Sequence, residues 1–318
     1  MFMRQPACAS PKPGRLEVPG PASAGDIGSA QFAMEFKMPA TTITNAMTID
    51  VEDYFQVSAF APHIPRSEWN SRECRVERNV ERILALLDRH STKATFFTLG
   101  WIAERYPHLV RSIADAGHEL ASHGYGHERA TDQSETAFFA DVHLAKILLE
   151  DISGQAVKGY RAPSFSIGES NLWAFECLER AGYAYSSSIY PIRHDHYGMP
   201  NAPRFAHRIR GLLEVPATTL RLFNRNWPAS GGGYFRLMPY EVSRWMLRRV
   251  NAQDGRPATF YFHPWEVDPG QPRVAGASAK SRFRHYLNLE RMEGRLDRLL
   301  ADFRWGRMDH VFFEEGVA

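Results

Sequence analysis

Short apolar segments with the composition of β-strands alternate with helical segments from residue 42 onward. The run from Lys93 to Gly100 is rich in aromatic and β-branched residues, as is typical of a buried strand. In the segment before it, apolar residues between Val76 and Leu87 recur at helical spacing, which favours a helix. Strands that alternate with helices form right-handed βαβ units and a parallel sheet. We therefore expect an α/β fold whose sheet is either open or closed into a barrel.

Polar residues follow several of the predicted strands at the point where each strand ends. They are Asp50, His123, Arg161 and His263. In a parallel barrel the carboxyl ends of the strands form the face on which active sites are assembled, whereas chance would distribute such residues over both ends. The sequence therefore predicts one site at this face.

Two of these strand ends carry groups that bind metal ions. His123 and His127 are four residues apart, so one helical turn after the strand would place both imidazoles on the same side. The first strand ends in three carboxylates, Asp50, Glu52 and Asp53. Two imidazoles and one carboxylate around a divalent ion are typical of a hydrolytic metal site, and a further carboxylate beside the bound water acts as its base. Ordinary loop or core positions for the two histidines are the alternative.

The composition excludes some classes of function. Lys and Arg total 38 and Asp and Glu total 36, which gives a net charge of +2. This balance argues against a nucleic-acid partner, which normally requires a basic face. The three cysteines, Cys8, Cys74 and Cys177, are widely separated and indicate neither a disulfide framework nor a thiolate metal cluster. Apolar residues make up 44% of the chain, enough for a large core.

The first part of the chain has a different composition from the rest. Residues 1–41 contain Pro, Gly, Ala and Ser in loose order and lack the compact apolar core of a secretory signal. No apolar run approaches the roughly 20 residues that span a bilayer. We expect a disordered leader over residues 1–41, no integral membrane segment and a cytoplasmic location, with association close to a membrane left open.

In their order along the chain, the motifs resemble those of the polysaccharide deacetylases, which are the carbohydrate esterases of family four with a NodB-homology domain. The His-x-x-x-His metal pair of that family matches His123 and His127, its Arg-x-Pro motif matches Arg161 to Pro163, and its late apolar-x-His motif matches His263. Each motif alone is common, whereas this set in this order on alternating strands is specific. The resemblance covers nearly all of the folded chain and is strongest to the branch found with exosortase-linked exopolysaccharide loci.

The resemblance implies a fold and an activity. The fold is a distorted (β/α) barrel of the NodB-homology type, formed by a catalytic domain over residues 42–318 with a C-terminal helical extension. The activity is hydrolytic removal of N-acetyl groups from a polysaccharide or oligosaccharide that contains N-acetylhexosamine, in exopolysaccharide biosynthesis. The implied cofactor is a divalent metal ion, Zn²⁺ first, with Co²⁺, Fe²⁺ or Ni²⁺ as alternatives. The oligomeric state is left open.

The resemblance also implies a catalytic role for three of the motifs. Asp50 would take a proton from the attacking water, and Arg161 would hold Asp50 ionised, since a nearby cation favours the charged carboxylate. His263 would protonate the departing amine. The metal ion and a backbone N–H near Phe165 would stabilise the tetrahedral oxyanion.

One departure from the family pattern concerns the metal carboxylate. The first motif of the family usually has two adjacent aspartates, whereas here Asp50 and Asp53 are separated by Val51 and Glu52. We prefer Asp53 as the third metal ligand, with His123 and His127, because its shorter arm suits a tight site. Glu52 is the alternative.

A second departure concerns the catalytic histidine. The family often has an aspartate that tunes this histidine at the position where Ser186 stands, and Asp195 is a distant candidate for the same role. Glu266 is a ligand, a hydrogen-bond partner or a solvated residue, and we interpret it as solvated or structural. Without a carboxylate nearby, we expect His263 to lose its proton more easily than in relatives that have the aspartate.

Aromatic residues near the predicted strand ends are the expected contacts to sugar. The segment Asn226–Phe235 contains three consecutive glycines among aromatic residues. It is either a flexible connection or a lid over the barrel mouth, since loops at such positions carry specificity. It lacks the Lys-Ser/Thr and helix start of a phosphate-binding loop. The predicted substrate contacts are Pro163, Phe165, Trp227, Tyr234, Phe235 and Trp265.

Two alternatives to a polysaccharide deacetylase remain. The first is a carbohydrate-binding protein that kept the barrel and lost catalysis. The complete set of acidic, basic and imidazole groups argues against it, because a binding protein has no need of an acid and a base on opposite sides of a metal ion. The second is a hydrolase of a small non-peptide C–N substrate on the same barrel, which the sequence does not distinguish.

Overall fold

The computed structural model describes residues 43–195 and 197–314. The predicted leader over residues 1–41 lies outside them. The described residues belong to one compact unit, residues 40–318. None of the helices in these ranges is long and apolar enough to cross a membrane.

A mostly parallel sheet forms the centre of this unit. Its strands are β1 (Thr44–Val51), β2 (Thr95–Thr98), β3 (Glu119–Ser122), β4 (Gly159–Tyr160), β5 (Tyr185–Ser186), β6 (His207–Ile209), β7 (Leu212–Glu214), β10 (Thr259–Phe262) and β11 (Arg304–Gly306). A separate antiparallel hairpin consists of β8 (Thr219–Leu222) and β9 (Arg225–Pro228).

The strands follow one another around a curled sheet in the order β10-β1-β2-β3-β4-β5-β7-β6, and β11 also pairs with β1. All of these pairs are parallel except β6 with β7. Beyond β7, the N–H of Thr259 donates to the hydroxyl of Thr218 at 2.6 Å, so the chain there returns to β10. The sheet is therefore a distorted and incompletely closed (β/α) barrel, and the predicted fold class is confirmed.

Helices alternate with these strands in the described part of the chain. They are α1 (Val76–Arg89), α2 (Gly100–Arg105), α3 (Pro107–Asp115), α4 (Glu135–Ser153), α5 (Trp173–Arg180), α6 (Gly232–Leu237), α7 (Tyr240–Arg249), α8 (Ala279–Tyr286) and α9 (Met292–Asp302). The apolar face of α1 shows why they form where they do, because Val76, Val80 and Ile83 are all at most 1% exposed and pack against the sheet. The main core therefore lies between the sheet and its helices.

The C-terminal part of the chain differs in one respect from the predicted helical extension. Helices α8 and α9 are present, but a three-residue strand, β11, follows them and pairs with Thr44–Ala46 of β1. A strand of three residues is too short to give a periodic signal in the sequence. The end of the described chain therefore joins the sheet instead of lying outside it.

The register of the sheet brings the polar residues together. Asp50 lies near the end of β1, and His123, Arg161 and His263 each follow the last residue of β3, β4 and β10. The N–H of His123 donates to the carbonyl of Thr98 at 3.0 Å, which continues the ladder between β2 and β3. Because neighbouring parallel strands end at the same edge, these side chains meet at the carboxyl face of the sheet.

Candidate active site

One carboxylate and two imidazoles converge just beyond the strand ends. One ligand atom from each of Glu52, His123 and His127 lies within 4.8 Å of the others. Nε2 of His127 is 2.6 Å from Oε2 of Glu52. A carboxylate oxygen with two imidazole nitrogens is a donor set that suits a divalent ion such as zinc.

The surroundings of these side chains fit a bound cation. Oε2 of Glu52 is buried and makes no hydrogen bond of normal geometry to any described residue, despite its contact with His127. A buried carboxylate oxygen of this kind is costly unless a cation meets it. Nδ1 of His123 lies 2.8 Å from the carbonyl oxygen of Arg161. Because a carbonyl only accepts, Nδ1 carries the proton and Nε2 is the nitrogen left to bind a metal.

The protonation states of the cluster also suit a metal ion. Burial lowers the pKa of His123 to about 4, so its imidazole is neutral at pH 7, as a metal ligand must be. Burial alone would raise the pKa of Glu52, but the neighbouring His127 and His263 outweigh it and hold that pKa well below its usual range. Glu52 is therefore ionised.

Asp53, the ligand preferred from the sequence, takes no part in this cluster. Its Oδ2 accepts the N–H groups of Arg75 and Val76, at 2.5 and 2.8 Å, and its Oδ1 accepts the N–H of Tyr54 at 2.8 Å. These bonds fasten the loop after β1 to the start of α1. The structure corrects the preference for Asp53, because side chains along an extended strand alternate in direction and Glu52 continues on the same side as Asp50.

The segment between the two histidines is a loop, and the predicted helical turn is wrong. Gly124 and His127 both have left-handed backbone conformations, with φ of 75° and 56°. Asp141 on α4 holds the loop by accepting the N–H groups of Tyr125 at 2.9 Å and Gly126 at 3.3 Å. A β-carbon at Gly124 would lie 2.6 Å from an oxygen of Asp141, so this position requires glycine for both its φ and its space.

Asp50 and Arg161 form a buried ion pair beside the cluster. Nη1 of Arg161 donates to Oδ1 of Asp50 at 2.5 Å and to the hydroxyl of Thr48 at 2.8 Å. Nη2 donates to the hydroxyl of Ser187 at 2.9 Å. Oδ2 of Asp50 lies 3.9 Å from Nε2 of His263. Asp50 is therefore a fixed carboxylate with one oxygen held by arginine and the other directed into the site.

His263 closes the other side of the site. Its Nε2 is 3.6 Å from Oε1 of Glu52, and its side chain is 20% exposed, against 3% for Glu52. The ring of Trp265 stacks on it, with centroids 5.1 Å apart and planes 17° apart. Nε1 of Trp265 donates to Oε1 of Glu52 at 3.1 Å. His263 is therefore the side chain of this group that solvent or a substrate reaches most easily.

The partner of His263 is a residue that the sequence analysis interpreted as solvated or structural. Nδ1 of His263 lies 2.7 Å from Oε1 of Glu266, which is fully buried. Burial alone would lower the pKa of His263, but Glu52 and Glu266 raise it to about 9. The premise that no carboxylate lies near His263 is therefore wrong. Ser186 instead bonds Ser188 at 2.8 Å, and Asp195 pairs with Arg284 at 3.3 Å.

The predicted substrate contacts separate into exposed and buried residues. Trp227 on β9 is 49% exposed. Phe165 and Tyr234 belong to an aromatic cluster that includes Tyr261, whose ring centroid is 4.8 Å from that of Phe165. Phe235 is 1% exposed and belongs to the main core, so its placement contradicts a role in binding sugar. Pro163 and Trp265 are buried as well.

The N–H of Phe165 itself is not available as the expected oxyanion donor, and the prediction of a donor near that residue stays untested. The N–H of Phe165 donates to the carbonyl of Ala162 at 3.0 Å. Ser164 and Phe165 both have positive φ, 56° and 49°, which turns the chain sharply after the Arg-x-Pro motif. That N–H is therefore used inside the turn.

These features define a class: an α/β protein with a distorted (β/α) barrel and a hydrolase-type site of carboxylates, imidazoles and one arginine at the carboxyl edge of its sheet. Residues 71–185 match the family model described as polysaccharide deacetylase, so the chain contains a region of that family. Residues 187–313 match a second family model, described as a domain of unknown function (DUF3473).

Known deacetylases are similar to part of this chain. A peptidoglycan-N-acetylglucosamine deacetylase of Bacillus cereus is 36% identical over 96 residues, which are 30% of this chain and 35% of that protein. A peptidoglycan deacetylase of Helicobacter pylori is 33% identical over 117 residues, 36% of this chain and 38% of that protein. The chain thus spans about a third of the length of these relatives.

A crystal structure shares the fold. It is that of a protein assigned as a polysaccharide deacetylase from Mycobacterium smegmatis, with a TM-score of 0.55 and 21% identity over 84% of this chain and 88% of that chain. At this identity the likeness concerns the fold alone. Because it covers 84% of this chain, the shared fold includes at least part of each matched region.

Proposed function

We propose that the protein is a metal-dependent hydrolase that removes N-acetyl groups from a polysaccharide containing N-acetylhexosamine, in exopolysaccharide biosynthesis. The observation that carries the proposal is the Glu52, His123 and His127 cluster beside the buried Asp50–Arg161 pair. The match of residues 71–185 to the polysaccharide deacetylase model and the names of the peptidoglycan deacetylases with which the chain aligns support it. The cytoplasmic location stays a prediction.

The residues of the cluster would hold a divalent ion, Zn²⁺ first and Co²⁺, Fe²⁺ or Ni²⁺ as alternatives. Such an ion, when bound, supplies Lewis-acid polarisation of the acetyl carbonyl and acidification of a water molecule. Glu52 contributes the negative charge, and the carbonyl of Arg161 orients the ring of His123. Arg161 thus contributes to both groups of residues: its carbonyl orients the metal ligand His123, and its side chain holds Asp50.

Asp50 is the general base of the proposed reaction. Arg161 occupies Oδ1, so Oδ2 accepts the proton of the attacking water. Because Asp50 is 2% exposed and its partner guanidinium is bonded to Thr48 and Ser187, the carboxylate cannot rotate away from the reaction. Such fixed orientation lowers the entropic part of the barrier.

His263 is the general acid. An amide nitrogen departs only after it gains a proton, since otherwise the tetrahedral intermediate collapses to substrate. Nε2 of His263 lies 3.9 Å from Oδ2 of Asp50, so both groups border the same space, in which the amide of the substrate would lie. The exposure of His263, 20% for its side chain, fits a group that meets the leaving amine.

A cleft beside the site suits a chain of sugars. A cavity of about 320 Å³ is lined by residues that include Phe165, Ser166, Glu169 and Tyr197. Phe165 in turn packs on Tyr261, whose ring is 6.0 Å from that of His263. Aromatic faces with neighbouring polar groups are typical of ligand sites of this size. We assign this cleft to a sugar that neighbours the one from which the acetyl group is removed.

Metal analysis and acetate release test the proposal together. The purified protein should carry a divalent metal and release acetate from N-acetylglucosamine oligomers, at rates that rise with oligomer length. His123→Ala should lose both metal and activity, whereas His108→Ala, a matched histidine whose side chain is 61% exposed, should lose neither. Metal-loaded protein that releases no acetate from any oligomer would overturn the deacetylase assignment, and activity restricted to small amides would select the small-substrate alternative.

A further inference from the structure

We propose that the region 187–313, which matches a domain of unknown function, completes the active site by holding His263 in one orientation through a buried Glu266–Arg236 pair. The inference rests on the proposed function, because it takes His263 as the group that protonates the leaving amine. Glu266 and Arg236 are positioning residues, since they act on the substrate through His263.

The contact between Glu266 and His263 defines the orientation of the imidazole. Oε1 of Glu266 is 2.7 Å from Nδ1 of His263 and also accepts the backbone N–H of His263 at 3.1 Å. An ionised carboxylate only accepts hydrogen bonds, so Nδ1 carries a proton. Nε2 is therefore the nitrogen that faces Asp50 and Glu52, at 3.9 and 3.6 Å.

Arg236 holds the second oxygen of the Glu266 carboxylate. Its Nε donates to Oε2 of Glu266 at 2.6 Å. Its remaining donors reach backbone carbonyls at the end of α8, those of His285 at 3.0 Å, Leu287 at 2.6 Å and Arg284 at 3.1 Å. Since Arg236 is 1% and Glu266 0% exposed, the pair has no freedom to turn towards water. A charge-assisted pair anchored in this way holds its geometry closely.

The Glu266–Arg236 pair also explains one of the three consecutive glycines, Gly232. A β-carbon at Gly232 would lie 2.1 Å from Oε1 and 2.2 Å from Oε2 of Glu266. Helix α6 begins at Gly232 and carries Arg236 one turn later. Glycine therefore allows the start of α6 to approach Glu266 closely enough for the ion pair to form.

Aromatic stacking holds the plane of the imidazole. Trp265 lies between His263, with planes 17° apart, and His285, with planes 14° apart. The guanidinium of Arg236 lies 5.4 Å from the centre of the Trp265 ring. All of these residues belong to the region 187–313, whereas His123, His127 and Arg161 belong to the region 71–185. The two matched regions thus supply opposite sides of one site.

A buried ion pair that only stabilises the fold would show the same contacts. Two substrates with different leaving groups distinguish that structural role from a role in positioning His263. Release of an amine from an N-acetylglucosamine oligomer needs a proton from His263. Release of 4-nitrophenolate from 4-nitrophenyl acetate needs none, because that anion is stable in water. A positioning role therefore predicts damage to the first reaction and not to the second.

The test compares Glu266→Gln, which keeps the shape and removes the charge, with the full-length wild-type protein loaded with metal. We expect kcat for the oligomer to fall roughly 10²-fold, in the range for loss of acid catalysis. The KM, the metal content and the rate with 4-nitrophenyl acetate should stay within about threefold. Asp254→Asn is the matched control, because it removes a carboxylate paired with Arg204 at 2.8 Å in the same region, and it should leave both rates unchanged. An equal fall with both substrates, or an unchanged rate with the oligomer, would overturn the proposal.

Nitrogen-15 spectra of His263 test the geometry without relying on acetate release. In the wild-type protein we expect a proton on Nδ1 of His263 that the carboxylate of Glu266 shifts downfield, and in Glu266→Asp, which shortens the arm, we expect that shift to weaken. An Nδ1 proton in the wild-type protein without a downfield shift, or a shift that is unchanged in Glu266→Asp, would contradict the inference. If the wild-type protein releases no acetate from oligomers yet shows the downfield Nδ1 proton, the proposed function fails and the positioning of His263 by the region 187–313 stands.

Discussion

At the scale of single residues, neighbouring carboxylates have different roles because the strand directs them differently. Glu52 meets His123 and His127, while Asp53 accepts backbone N–H groups at the start of α1. The period of two along an extended segment was available in the sequence and would have grouped Glu52 with Asp50. The length of a carboxylate arm bears on its fit to a metal ion, whereas the direction of the side chain decides whether it reaches the ion.

The first prediction separates these two roles. Glu52→Gln should lose the metal ion after dialysis, because a neutral amide replaces the anionic ligand. Asp53→Asn should retain the metal but reduce the free energy of unfolding by about 1–3 kcal/mol, the usual cost of leaving buried donors without an acceptor. Metal analysis and urea unfolding of both variants provide the measurements. Metal loss in Asp53→Asn with full retention in Glu52→Gln would restore Asp53 as the ligand.

The second prediction concerns a buried carboxyl group away from the metal cluster. Oε1 of Glu214 accepts the N–H groups of Ser188 at 3.0 Å and Ile189 at 2.8 Å, and burial raises the pKa of Glu214 from 4.5 to about 7. Because the folded protein binds this proton more tightly than the unfolded chain, the stabilisation is complete below pH 4.5 and is lost as the pH rises through about 7.

Glu214→Gln should remove this dependence, since its amide does not titrate. Between pH 4.5 and pH 8 the wild-type protein should lose on the order of 3 kcal/mol relative to the variant. The measurement is the free energy of unfolding of both proteins in urea at the two pH values. A difference between them that does not change with pH would show that the carboxyl group titrates normally.

At the scale of elements, the glycine-rich segment Asn226–Phe235 allowed two interpretations from its composition. From the sequence the segment was either a flexible connection or a lid over the sugar site. The structure shows instead that α6 closely approaches Glu266. The spacing of Gly232 and Arg236 along one helical turn carries this information only when the partner, Glu266, is known. That partner lies 30 residues away from Arg236, so no local pattern could reveal it.

The third prediction is a comparison of adjacent glycines in α6. Gly232→Ala should lower the free energy of unfolding by roughly 1–3 kcal/mol, the usual cost of overpacking, and should reduce acetate release by moving Glu266. Gly233→Ala is the control, because no described atom lies within 4 Å of a β-carbon there, and alanine in a helix is favourable by about 0.5–1 kcal/mol. Thermal unfolding and acetate release measure both effects. Equal behaviour of the two variants would show that Gly232 has no special role.

The strand ends were predictable from the sequence, whereas the connections between them were not. Asp50, Arg161 and His263 could be placed together because apolar runs mark buried strands and parallel strands end at one edge. The loop from His123 to His127 depends on Asp141, which lies on α4. Its left-handed residues follow from that contact and not from the spacing of the histidines. Strand β11 pairs with β1 from the other end of the described chain, a contact without any local signal.

At the scale of the whole molecule, β1 joins the two matched regions into one sheet. It pairs with β2 on one side, and on the other side its residues Ala46–Ile49 pair with Thr259–Phe262 of β10. Met47 and Ile49 of β1 and Phe260 of β10 belong to the same core cluster and are at most 1% exposed. The region 71–185 therefore contains metal ligands whose scaffold includes strands from the region 187–313.

The last prediction is that the two regions do not fold separately. A chain that ends after Ser186 retains Glu52, His123 and His127, but it lacks the strands that cover one edge of β1. Exposing that edge together with the apolar residues beneath it removes hydrophobic stabilisation at about 25 cal/mol for each Å² of apolar surface that stays in water. Because stability is a small difference between large terms, about 5–15 kcal/mol for a whole domain, the shortened chain should show no cooperative unfolding transition and should bind metal only weakly. The full-length chain is the control in both measurements. A cooperative transition with undiminished metal affinity in the shortened chain would show that the deacetylase region is an independent domain to which the second region was only appended.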